Sequence, residues 1–127
     1  MREKYLAYLS GFLNKLKTDR IICELNSKSK RQSAFSKIAD FKNTFDKSCV
    51  FTELSHLEYD KAIKLIEKCA GKIECYDLAY DEIVPIETAY QRAVDSYMPN
   101  VLIVSENTII YIGECEFGAS EKYILKK

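Results

Sequence analysis

Between residues 101 and 117 the chain reads VLIVSENTIIYIGECEF, two runs of Val and Ile around a polar break at Ser105, Glu106 and Asn107. The pattern predicts a β-hairpin with a three-residue loop and Asn107 in the left-handed position. Both faces of residues 101–104 and 109–112 are apolar, which places the hairpin at the centre of a sheet covered on both sides. After Gly113 the strict alternation of Glu114 and Glu116 with Cys115 and Phe117 predicts that the second strand runs out to a half-exposed position.

Helical spacing dominates the rest of the chain. In residues 2–17, Tyr5, Leu6, Leu9, Phe12, Leu13 and Leu16 form one apolar stripe that predicts a core-facing helix. Residues 20–25 suit either a helical turn or an edge strand. Ser33 is placed to cap a second helix through Phe35, Ile38, Phe41 or Lys42, and Phe45, ending near Asp46. Residues 49–51 form a short apolar run with strand character. Ser55 and Glu58 have the spacing of a capping box, with Leu54 and Tyr59 as its hydrophobic staple. The helix they open runs through Ile63 and Ile66 to a stop at Gly71. Residues 72–78 alternate like a strand. Pro85 then suits the first turn of a helix that carries Ile86, Ala89, Tyr90, Ala93 and Val94 until Pro99 forbids continuation. The tail offers one more apolar group, Tyr123, Ile124 and Leu125, for a short strand or a docking contact. Early helices and a late hairpin predict a single α+β domain over residues 1–127, with N-terminal helices packed on a small, mostly antiparallel sheet.

Charge sharpens this picture. The formal net charge is zero, which argues against a dedicated nucleic-acid binder. The balance is uneven, however: residues 1–47 hold 11 Lys and Arg against five acids, and residues 48–127 hold eight against 14. Five cysteines at positions 23, 49, 69, 75 and 115, with no CxxC spacing, predict free and mostly buried thiols in a reducing cytoplasm. The apolar run after Arg2 and Lys4 is broken by Ser10 and Gly11 and has no small-residue cleavage site, so it is read as a helix rather than a leader. Neither a membrane nor a cofactor is expected as a partner.

Catalytic signatures are few. The four glycines are far apart and build no phosphate-cradling loop, and neither HExxH, an EF-hand loop nor GxSxG occurs. Cys69, Cys75 and His56 lack the spacing of a zinc site. His56, the lone histidine, falls in the first turn of the helix after Ser55, where the dipole opposes a protonated ring. The loop at 26–32 carries Lys28, Lys30 and Arg31 without an interleaved aromatic residue; it reads as a solvated connection or a phosphate-contacting loop.

The informative stretch lies between Lys72 and Arg92. It contains Glu74, Asp77, Asp81, Glu82 and Glu87, interleaved with Tyr76 and Tyr80, and no basic side chain. Tyrosines supply contact area with a polar tip, and carboxylates steer a cationic partner. A strand and following loop of this composition predict a protein-binding edge facing a basic surface, with a solvated acidic loop as the plainer alternative. One domain, no catalytic constellation and an acidic face give a profile similar to that of small immunity proteins of bacterial toxin systems. That resemblance implies a protein that covers the basic active site of a toxin, such as a nuclease. The alternatives are a small enzyme using carboxylates or a cysteine, and a nucleic-acid accessory protein using the basic loop at 28–31.

Overall fold

The hairpin is the middle of the sheet. In the computed structural model, which describes residues 2–96, 98–114 and 121–127, β4 (Asn100–Ser105) and β5 (Thr108–Ile112) lie fourth and third among six strands. With β1 (Val50–Glu53), β2 (Glu74–Asp77), β3 (Glu82–Pro85) and β6 (Lys122–Lys126) the order is β1-β6-β5-β4-β2-β3, antiparallel at every described pairing. Alternation along β4 and β5 feeds two separate cores, as double-faced apolar strands require. Val101, Ile103, Ile109 and Tyr111 point to one, and Leu102, Val104, Ile110 and Ile112 to the other.

Helices cover both faces of this sheet. On the first lie α1 (Arg2–Ser10), α2 (Thr18–Leu25), α3 (Arg31–Ala39) and the single turn α4 (Phe41–Thr44). On the second lie α5 (Tyr59–Ala70) and α6 (Ile86–Ser96). Each fully buried aliphatic side chain contributes about 1.5–3 kcal/mol. The architecture is therefore α+β, with an antiparallel sheet between two helical layers. No helix of the described residues is long and apolar enough to cross a membrane.

Several local signals were overruled by distant backbone groups. The stripe at 2–17 is helical only to Ser10; Leu13 then forms an antiparallel bridge with Phe45, which buries both side chains. Leu16, assigned to the stripe by its spacing, is instead 94% exposed. Residues 18–25 are helix, not strand. Ser33 does not cap α3, which starts two residues earlier; its Oγ lies 3.2 Å from Oε2 of the buried Glu24. Asp40, with ψ 76°, interrupts the helix expected to run to Asp46. The capping box at Ser55 and Glu58 does not form either. Ser55 Oγ accepts the backbone N–H of Lys122 at 3.1 Å, α5 begins only at Tyr59, and Glu58 makes no side-chain cap. Gly71 ends that helix as expected, at φ 66°, a left-handed conformation that glycine adopts without strain.

The hairpin loop is tighter than expected. Ser105 pairs with Thr108, an irregularity between Ile103 and Ser105 absorbs the extra residue, and Asn107 is not left-handed. The alternation expected at Cys115, Glu116 and Phe117 lies outside the described residues. The apolar tail does become a strand, β6, which fills the slot between β1 and β5.

Candidate functional site

β3 was not expected as a strand, and it turns the acidic stretch into a hairpin. β2 and β3 pair in unbroken register from Glu74 opposite Pro85 to Asp77 opposite Glu82. The tip, residues 78–81, closes with Asp81 N–H donating to Asp77 O at 2.8 Å. Asp81 has φ 54°, the only positive value at a non-glycine position among the described residues. Aspartate tolerates that region better than bulkier residues do.

Beneath the tip is a buried polar hub. Asp77 has 0% exposure; its Oδ1 accepts from Asn100 Nδ2 at 2.9 Å and from the Tyr80 N–H at 3.2 Å, and its Oδ2 from Arg92 Nη2 at 3.1 Å. Asn100 in turn accepts the N–H groups of Ala79 at 3.0 Å and Val101 at 2.8 Å. A carboxylate out of water needs such a full set of donors, because an unpaired one costs several kcal/mol. Arg92 continues outward: Nη1 lies 2.5 Å from Glu82 Oε1, and the guanidinium sits 4.1 Å from the centroid of the Tyr80 ring. Its Nε is buried without a hydrogen-bond partner among the described residues.

The other face of the hairpin is tied down as well. Tyr76 is 2% exposed, stacks on Tyr5 of α1 with centroids 4.8 Å apart, and donates its hydroxyl to Asp81. Burial first, and then this bond to a carboxylate, push its phenol above the ordinary range. Arg2 reaches Oδ2 of Asp81 at 3.4 Å. Arg31 donates to the carbonyls of Leu25, at 3.2 Å, and of Leu78. Arg31 is therefore a structural clamp, and in this respect the basic loop at 28–31 departs from a phosphate-contacting role; Lys28 and Lys30 stay exposed.

The acidic stretch is thus not one face. Tyr76 and Asp77 are interior residues, and as they stand no partner can touch them; this corrects their assignment to an exposed edge. Tyr80, 52% exposed, comes together with the exposed Asp81 and Glu82 at the tip. Glu74 and Glu87 are exposed at the other end of the hairpin, where neither makes an ion pair among the described residues. Beside Tyr80 an apolar groove of about 460 Å³ runs between the tip and α3, with Phe35, Ala79 and Met98 in its wall. Arg92, Arg2 and Asn100 were missed because they lie outside the acidic stretch in sequence. The one signal for Arg92 was its place beside the buried stripe of Ala89, Tyr90 and Ala93.

The reactive groups elsewhere are quiet. Burial pushes the Cys75 thiol up to about 12, so at neutral pH it is not a nucleophile. His56 sits in the turn before α5, with its side chain 87% exposed and Nε2 3.9 Å from Glu53 Oε1. Cys23 is exposed, contrary to the expectation of burial, while Cys49 and Cys69 are half-buried. Among the described residues no three His, Cys, Asp or Glu side chains converge as a metal site would need. Comparisons of the chain with protein-family models, with curated proteins and with solved structures give no match.

Proposed function

We propose that this chain is a protein-binding module that occludes a partner through the tip of the β2–β3 hairpin, in the manner of an immunity protein neutralising a bacterial toxin. The observation that carries the reading is the state of Tyr80. Its ring is half in solvent, yet it is held against Arg92, which the buried Asp77 fixes in turn. An exposed aromatic side chain held in place this way loses little conformational freedom on binding, which is the property of an interface anchor. Asp81 and Glu82 flank it and favour a partner with a basic surface, such as the nucleic-acid cleft of a nuclease. Glu74 and Glu87 extend the acidic character around the hairpin without contributing to the anchor.

The test is co-expression with the product of the adjacent reading frame, followed by binding kinetics on the purified pair. Under this reading the chain protects cells from that product. Tyr80→Ala raises the off-rate by a factor equivalent to about 1–4 kcal/mol, and Asp81→Asn with Glu82→Gln lowers the on-rate and its salt dependence. Protection that survives all three substitutions with unchanged kinetics overturns the choice of face. Nucleic acid that co-purifies stoichiometrically overturns the choice of class.

A further inference from the structure

Leu16 is the most exposed large apolar side chain among the described residues, at 94%, and it is not on a loose segment. Asn14 builds the turn that presents it: Asn14 Oδ1 accepts the Leu16 N–H at 3.0 Å, and Asn14 O accepts from Lys17 N at 2.9 Å and Thr18 Oγ1 at 3.0 Å. The turn is anchored to the body of the protein by Asn14 N–H on Thr44 O at 2.7 Å and by the Leu13–Phe45 bridge. A leucine held out in water by this many backbone bonds is a presented group. Lys15 and Lys17 flank it in sequence.

A concavity of about 470 Å³ lies beside the bridge and is lined by Lys15 of the turn, Lys42 of α4 and Lys47 of the 3-10 turn at residues 47–49. None of the three makes an ion pair among the described residues. The one acid in the wall, Asp46, spends Oδ1 on Ser48, whose N–H and Oγ lie 3.0 and 2.7 Å away. Those bonds first, and more weakly the charge of Lys15, hold the Asp46 carboxyl below its ordinary range, so it stays ionised and offsets one of the three ammonium groups. The cleft therefore presents an excess of basic side chains over a floor that includes Leu13 and Phe45, and the exposed Leu16 directly follows Lys15, one of its lining residues.

We infer that this face docks on an anionic phospholipid surface, with headgroup phosphates drawn to the Lys15, Lys42 and Lys47 cleft and Leu16 inserted at the boundary of the acyl region. A lone leucine ringed by lysines, with no further exposed large apolar residue on its own turn, lacks the apolar cluster that a protein partner would pack on. A lipid interface needs no complementary pocket. It accepts one apolar side chain among basic residues, and its phosphates supply the counter-charge. The surface shares no residue with the hairpin tip and stands independently of the function proposed for it. Lys15, Lys42 and Lys47 are three of the 11 basic residues in the first 47.

Co-sedimentation of the intact chain with vesicles tests this. Vesicles of phosphatidylcholine containing phosphatidylserine are expected to bind it, those of phosphatidylcholine alone are not, and binding should weaken as salt rises. The triple variant Lys15→Gln, Lys42→Gln, Lys47→Gln should lose affinity roughly a hundredfold and flatten the salt dependence. Leu16→Ser should lose roughly tenfold and leave the salt dependence as it was. All four substituted side chains are in exposed loops or a short helix, so circular dichroism melts should be unchanged and separate binding from folding. Equal binding to both vesicle types overturns the inference, as does no binding to either, or binding indifferent to the triple variant. Tripolyphosphate provides the last arm. If it binds in solution as tightly as the vesicles do, and Leu16→Ser does not weaken the vesicle binding, the cleft is a site for free phosphate and not a lipid-docking face.

Discussion

Nη2 of Arg92 lies 3.1 Å from Oδ2 of Asp77, a carboxylate with 0% exposure, and this contact joins α6 to the strand before the hairpin tip. The pair makes Asp77 a structural acid. Asp77→Ala leaves Arg92, the Asn100 amide and the Tyr80 N–H without their acceptor and should cost about 3 kcal/mol, at the lower end for a buried pair because Arg92 is partly in water. Glu82→Gln removes only the charge from the solvent-facing pair with Arg92, leaving an amide oxygen that can still accept, and should cost less than about 1 kcal/mol. Urea denaturation of the two variants separates the roles; equal losses would count against the hub. Neutralising Asp77, Asp81 and Glu82 together is therefore not a clean binding experiment.

The two tyrosines of the stretch divide in the same way. Tyr76→Ala opens a cavity between β2 and α1 and should destabilise the protein by about 3–5 kcal/mol. Tyr80→Ala removes a half-exposed ring and should leave the melting temperature nearly unchanged while binding to the partner weakens. A Tyr80→Ala variant that melts well below wild type would show that the ring serves the fold and not the interface.

Ile110 sits with 0% exposure in β5, flanked by β4 and β6. Ile110→Asp puts an unpaired charge between them at a cost comparable to the whole stability of a small domain, so the variant should be unfolded by near-ultraviolet circular dichroism. A folded variant with an unchanged melting temperature would contradict the central placement of the hairpin.

Stability should fall on the alkaline side. Burial raises the Cys75 thiol from 9.0 to about 12 and the Tyr90 phenol from 10.0 to about 12. Each group ionises more readily in the unfolded chain, so its contribution is complete below the unfolded value and is lost as pH rises towards the folded one. Urea midpoints should therefore decline from about pH 9, by at most about 1.4 kcal/mol per pH unit from Cys75 alone. The decline should steepen above about pH 10 as Tyr90 joins it. Cys75→Ala should make the decline between about pH 9 and 10 shallower without abolishing it, because burial also raises the thiol of the half-buried Cys49. Thiol titration checks the same burial: Cys23 should react in the native protein and Cys75 only after unfolding.

Periodicity and stop signals along the chain were sufficient for much of the fold. The two-faced apolar runs at 101–104 and 109–112 dictate central strands, because no other placement buries both faces. Gly71 ends α5 where it stands, α6 runs to Ser96, short of Pro99, and the apolar stripe of Ile86, Ala89, Tyr90 and Ala93 is the buried face of α6. These are effects of neighbouring residues, and a sequence carries them openly. The placing of acids and tyrosines on a strand and its following loop was legible, but the hairpin was not, because β3 is only four residues long with Ile83 and Val84 alone to mark it.

What each polar group does was decided by partners far along the chain. Ser55 abandons its capping geometry for the N–H of Lys122, 67 residues away. Leu16 falls outside the helix, which ends at Ser10, and the chain beyond it turns to pair Leu13 with Phe45. Asp77 is inside and Asp81 outside because Arg92 and Asn100 come close enough to pay the desolvation of one carboxylate and not the other. Residue type determined which groups were able to form such bonds. Tertiary contact alone determined which of them did, since a buried charge is tolerable only where the fold delivers its counterpart.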